Sequence, residues 1–220
     1  MDLSALRLSF SLAALTTLAL LVLGLPLAHW LATTRRRWKP LVEAVVALPL
    51  VLPPTVLGFY LLVGMGARSP LGRAWIAATG RPLAFSFEGL LLASVLYGLP
   101  FAVQPFAAAL SAVDPRLVEA SYGLGASRLR TFLRVSLPLA APGVLAGSVL
   151  AFAHVLGEFG VVLMVGGNVA GETRTLSIAI FDAVEQLDYA AANRTSLLLL
   201  AISFAALVLT HALRRRPVPG

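Results

Sequence analysis

Few residues of this sequence are equipped for chemistry: His29, His154, His211, Glu158 and scattered serines. His154 and Glu158 stand four apart and therefore share a helix face. Two such ligands do not hold a metal ion by themselves. No further His or carboxylate falls at metal-ligand spacing, and His-Glu-x-x-His is absent. Ser148 precedes His154 by six residues, nearly opposite it on a helix, which is poor geometry for a nucleophile and its base. Neither Gly-x-Ser-x-Gly nor Gly-x-x-x-x-Gly-Lys-Ser/Thr occurs, so a nucleophile elbow and a nucleotide loop are both missing. With no cysteine there is no disulfide, zinc, iron–sulfur or thiol chemistry to argue for. The sequence thus predicts no catalytic residue, no metal and no cofactor bound by this chain. An intramembrane enzyme stays as one competing class.

The elements that carry these residues follow from composition. Of 220 residues, 59 % are hydrophobic and 12 % charged, against roughly 45–50 % and 25 % in an average soluble protein. With a mean hydropathy of +0.89, a soluble globular domain and a disordered chain are both excluded. A net charge of +7 raises the question of nucleic acid, but the cations sit in short runs between apolar stretches. That is a membrane pattern, with a lipid bilayer as the partner. About 20 apolar residues span a bilayer, and five candidates emerge: Leu8–Leu31, Leu41–Gly64, Gly89–Leu110, Leu139–Gly166 and Ser196–Leu213. The first is too long and too poor in N-terminal cations for a signal peptide and reads as a retained span. The prediction is an all-α polytopic membrane protein, one transmembrane domain over residues 1–220 with its core at about 8–213.

Orientation comes from the cations. Arg35, Arg36, Arg37 and Lys39 follow span one, Arg116, Arg128, Arg130 and Arg134 follow span three, and Arg214, Arg215 and Arg216 follow span five. Eleven of seventeen cations then lie on one side, which predicts an outside N-terminus and a cytoplasmic C-terminus. Span two is interrupted by Pro49, Pro53 and Pro54; such a break at membrane depth packs against protein or lines a wet cavity. Span three, with Gly98, Pro100, Gln104 and Pro105, predicts a second bent helix. Glu158 stands nineteen residues beyond Leu139, about 28 Å along an ideal helix. There it is expected to be paired or solvated at the outer interface, or to contact a gate. A short amphipathic or re-entrant helix is expected around Leu176–Gln186.

The loop Asp114–Pro138 is the most informative segment. Asp114-Pro115 reads as an N-cap followed by proline at the first helical position. The helix runs through Leu117, Val118 and Ala120 to a Gly123/Gly125 turn. Ser127 caps a second helix with Leu129, Phe132 and Leu133 on an apolar face. Two short helices joined by glycine suit a partner's groove; an amphipathic helix resting on headgroups is the other reading. Glu119-Ala120-Ser121, three residues, Gly125, nine residues, then Val135-Ser136-Leu137-Pro138 resembles the Glu-Ala-Ala loop, Glu-Ala-Ala-x3-Gly-x9-Ile-x-Leu-Pro, of ATP-binding-cassette (ABC) importer permeases. Ser121 replaces an alanine and Val135 an isoleucine. The run from Leu48 to Gly58, with Leu156–Gly160 and Gly171–Leu176, is similar to molybdate permeases, whose sulfate and tungstate relatives share parts of these motifs.

The resemblance implies a homodimer with two cytoplasmic ATPase subunits, which bind ATP and Mg, and an external oxyanion-binding protein, in a bacterial inner membrane. Nucleic acid plays no part. By resemblance, Glu119, Ala120, Ser121, Gly125, Leu137 and Pro138 belong to the ATPase-coupling loop. No span carries a Lys or Arg at mid-membrane, so a dianion would meet only weak contacts on its way. Thr55, Gln104, Ser148, Glu158 and Asn168 are the candidate pathway or gate residues. A membrane anchor that transports nothing is the remaining alternative class.

Overall fold

The computed structural model describes residues 2–214, and every regular element in it is helical. Arg215 and Arg216 of the cation count lie outside the described residues, as does the side chain of Arg214. Helix α1 (Leu3–Thr33) opens on Asp2, whose carboxylate accepts from the backbone of Ser4 and Ala5 at 3.0 Å. The Ser4 hydroxyl, with those N–H groups, holds the Asp2 carboxyl below its usual pKa.

Span two is two helices, α2 (Lys39–Val51) and α3 (Pro54–Met65), bent by 109° where a single kinked span was one expectation. The cause is local. Pro54 forces Pro53 into an extended conformation, and Pro53 does the same to Leu52 (ψ 134° and 136°), so two consecutive residues leave the helix. Counted as one bent span, this pair brings the total to five; four other helices are long and apolar enough alone.

The segment after α3 holds an unpredicted helix, α4 (Pro70–Thr79), capped by Ser69 and stopped by Gly80 at φ +73°. Ser86 caps α5 (Phe87–Ser111) by accepting from Gly89 N–H at 3.1 Å. Next come α6 (Pro115–Gly123), α7 (Arg128–Thr131), one π-helical turn (Phe132–Ser136) and α8 (Leu137–Gly157). From Arg128 to Gly157 the helix is unbroken for 30 residues. It stops at Glu158, which is extended, and α9 (Gly160–Gly166) starts afresh. The expected fourth span therefore ends nine residues early. Helix α10 (Leu176–Glu185) stands where the short helix was expected, and α11 (Tyr189–Arg214) is the last span.

Helices α1, α5 and α8 pack against one another and form the core. Toward one end it holds Leu20, Ala28, Val103, Phe106 and Val144; toward the other, Leu12, Leu90, Val155, Leu156 and Ile178. A satellite of Met65, Leu83, Ala93, Val161 and Val165 joins α3, α5 and α9. Without a hydrophobic drive between helices in lipid, close backbone approach does the work. A Cβ on Gly143 would lie 2.5 Å from that of Ala109, and one on Gly147 would lie 3.0 Å from the Phe106 ring. By contrast, little of the apolar stretch of α11 is deeply buried.

Candidate functional site

The loop between α5 and α8 sits at the end of the bundle where α1 finishes and α2 begins. Asp114 caps α6 by accepting from Arg116 N–H at 2.9 Å, with Pro115 at the first helical position. At the other end, Gly125 N–H donates to Tyr122 C=O (2.9 Å) and Ala126 N–H to Ser121 C=O (3.1 Å). This pair of bonds is a Schellman turn, which needs a left-handed residue, and Gly125 has φ +81°. Ser127 then caps α7 by accepting from Arg130 N–H at 3.3 Å. Each expected turn and cap is present.

The loop presents rather than buries its side chains. Glu119, Ala120, Gly125 and Pro138 are exposed, Ser121 and Leu137 half-buried. Leu124 is 90 % exposed and Leu129 67 %, and a Cβ at Gly125 would meet nothing within 4 Å. The expected apolar face of the second helix divides: Leu129 and Leu133 point outward while Phe132 packs inward, 4.5 Å from the His29 ring of α1. Exposed Arg116, Arg128, Arg130 and Arg134 surround this surface. Its chemistry is an apolar contact patch in a positive setting.

The five residues singled out for a pathway do not converge. Thr55 is exposed in the first turn of α3, just past the bend. Gln104 is exposed and lines a cavity of about 330 Å³ together with Leu31, Val46, Ser111 and the Lys39–Glu43 ion pair (3.7 Å). Ser148 is buried, its hydroxyl donating to Val144 C=O at 2.9 Å. Glu158 lies in the α8–α9 break at 6 % exposure, and neither of its oxygens has a hydrogen-bond partner among the described residues. That corrects the expectation of a paired or solvated carboxylate: the helix ends early, and the chain folds inward against α5. His154 does not pair with it; its ring stacks on Phe101 at 3.5 Å. Asn168 stands at the end of the bundle opposite the loop. It donates to both Asp182 oxygens at 2.7 Å and accepts from Arg174 Nε at 2.6 Å. Sequence reasoning missed this Asn168–Arg174–Asp182 network, because its partners lie up to fourteen residues apart across a turn.

The geometry is that of a helical membrane bundle with an exposed loop at one end, and comparison with known proteins agrees on the bundle. Residues 6–216 match the family described as the binding-protein-dependent transport system inner membrane component. The chain belongs to this family. It is thus an inner-membrane transport subunit. The permease is 50 % identical over 214 residues to the molybdenum transport system permease protein ModB of Azotobacter vinelandii, covering 97 % of this chain and 95 % of that one. With ModB of Escherichia coli (strain K12) it shares 37 % over 212 residues, 96 % of this chain and 93 % of the other. Among solved structures it matches a chain of a bacterial alginate ABC transporter in complex with an alginate pentasaccharide-bound periplasmic protein. The TM-score there is 0.76 at 17 % identity, over 97 % of this chain and 78 % of that one. The inward-facing MetNI methionine ABC transporter gives 0.72 at 20 % identity, over 97 % and 96 %. These two likenesses establish the fold.

Proposed function

We propose that this permease is the membrane-spanning subunit of an ATP-driven molybdate importer. It works as a homodimer with two cytoplasmic ATPase subunits, which carry ATP and Mg, and an external molybdate-binding protein. The observation that carries the substrate is 50 % identity, over nearly the whole length of both chains, to a molybdenum permease. The exposed loop from Asp114 to Pro138, with the Glu119, Ala120, Ser121 and Gly125 spacing, supports ATPase docking there. The chain itself has no catalytic role in this reading. ATP closes the ATPase pair, the loops carry that motion to the spans, and the permease shifts between outward- and inward-facing states by differential binding.

The α2–α3 elbow supports the homodimer. Val51 is 81 % exposed, and Pro53, Pro54 and Thr55 are exposed with it. Irregular backbone does not face hydrocarbon, so a second copy or a water-filled pathway covers this bend. Thr55 and Gln104, and more remotely Ser148, Glu158 and Asn168, are the proposed pathway or gate groups. Selectivity then rests mainly with the binding protein.

Competition among molybdate, tungstate and sulfate for uptake by the reconstituted complex tests the substrate. Molybdate is expected to outcompete sulfate; a sulfate preference would overturn the assignment while sparing the permease. Topology has its own test. The sequence has no cysteine, so Ser4→Cys and Ser127→Cys, both at exposed positions, report cleanly. In intact cells Ser4→Cys is expected to react with a membrane-impermeant maleimide, and Ser127→Cys only after lysis. The reverse pattern would place the N-terminus inside.

A further inference from the structure

Helix α6 buries none of its residues, and α7 buries only Thr131, at 1 % exposure. Helix α6 meets the rest of the chain mainly through α7 and the π turn. Across that contact the hydroxyls of Ser121 and Thr131 lie 2.9 Å apart and share a hydrogen bond. A load applied to α6 reaches α5 through the short link of residues 112–114, and reaches α8 either along the chain through the Gly125 turn or directly through this bond. Glycine at a left-handed turn is the softer route.

Thr131 also lies in the first turn of the long helix that runs on to Gly157. The next residue, Phe132, packs its ring 4.5 Å from that of His29, near the end of α1. The π turn it opens continues without interruption into α8. The whole rod from Arg128 to Gly157 is 30 residues long, about 45 Å at 1.5 Å per residue. Its far end is the break that holds Glu158. Single π turns inside α-helices are frequent at functional sites.

We propose that Thr131 is a positioning residue for transport: its hydroxyl, held by Ser121, fixes the docking helix α6 to the rod of α8, while Phe132 bears on α1. The proposal rests on the reading that this loop docks the ATPase. Thr131 touches neither ion nor nucleotide; it makes the motion of α6 and the tilt of α8 one motion.

The test uses the complete transporter in vesicles, with loaded binding protein and ATP, and reads molybdate taken up per ATP hydrolysed. Thr131→Val keeps the shape and removes the hydroxyl; Ser121→Ala removes its partner. Thr131→Val is expected to keep ATPase co-purification, and each variant to lower uptake per ATP about fivefold, the effect of losing one hydrogen bond. The double variant should be no worse than either single one, because both break the same bond. Thr131→Ser should restore the ratio. A merely structural role would lower yield and leave the ratio alone. Unchanged uptake per ATP in both single variants, or additive losses, would overturn the relay. If Thr131→Val does not fold, Ser121→Ala at its half-buried position decides alone. Failure of the unsubstituted chain to retain its ATPase would instead overturn the docking reading.

Discussion

Gly125→Asp is expected to yield a permease that inserts and dimerises normally yet loses co-purification with its ATPase and loses uptake. Gly125 closes the Schellman turn after α6 at φ +81°, a region open to glycine and tolerated by Asp and Asn better than by other residues. Beyond the adjoining residues no atom lies within 4 Å of the added Cβ, so the substitution carries local backbone strain at the turn but meets no clash. What changes is the contact surface, where a carboxylate would stand beside the apolar Leu124. Where the flanking arginines do not pair it, burying that charge against a partner costs several kcal/mol, a weakening of about a thousandfold at 1.4 kcal/mol per decade. Gly125→Asn has similar backbone strain without the charge and separates the two causes: it should keep most of the binding. Wild-type pull-down and uptake in Gly125→Asp would show that the loop does not couple.

Gly143→Leu is expected to do the opposite, destroying the bundle rather than its docking. The Cβ of Gly143 would meet the Cβ of Ala109 at 2.5 Å, and Ala109 has no side-chain torsion with which to yield. The two helices must separate, which opens the core around Phe106 and Val144. Overpacking costs typically about 1–3 kcal/mol, and here even alanine overpacks. Gly143→Ala should lower the Tm in detergent by several degrees, on the scale of about 2–4 °C per kcal/mol for a chain of this size. The leucine variant should leave no monodisperse peak on gel filtration. Gly64→Ala, where a Cβ meets nothing, is the control and should match wild type or exceed it. A normal elution profile for Gly143→Leu would mean that α5 and α8 do not cross this closely.

Local signals were legible, and signals that depend on a distant neighbour were not. Asp114, Pro115, Gly125 and Ser127 state their caps and turn within a few residues of themselves, and all four are as the sequence predicts. Ser69-Pro70 makes the same kind of statement for α4, but Gly66, Gly72 and Arg73 hid the helix in what reads as a loop. The prolines of span two announced a bend, while its size of 109° follows from two successive extended residues. Glu158 misled for a different reason. Apolar residues continue through Gly166, so hydropathy carries a span across a break that backbone conformation makes. Its burial depends on α5 (Phe87–Ser111), far earlier in the chain, and periodicity is silent about that. The π turn has no sequence signature at all; Phe132–Ser136 reads as ordinary helix.

The shallow packing of α11 bears on how the chain is made. The three helices that need one another, α1, α5 and α8, have all been synthesised by Gly157. The sequence after it takes several seconds to translate at roughly 5–20 residues per second. During that interval the close crossing at Gly143 can already lock, with α11 still in the ribosome or the translocon. Helix α11, apolar enough to cross lipid by itself, is then expected to dock late onto α8 and α10, against which it packs. Truncation before Tyr189 should accordingly leave an inserted, partly assembled core, whereas damage to α1 removes a wall that both α5 and α8 pack against.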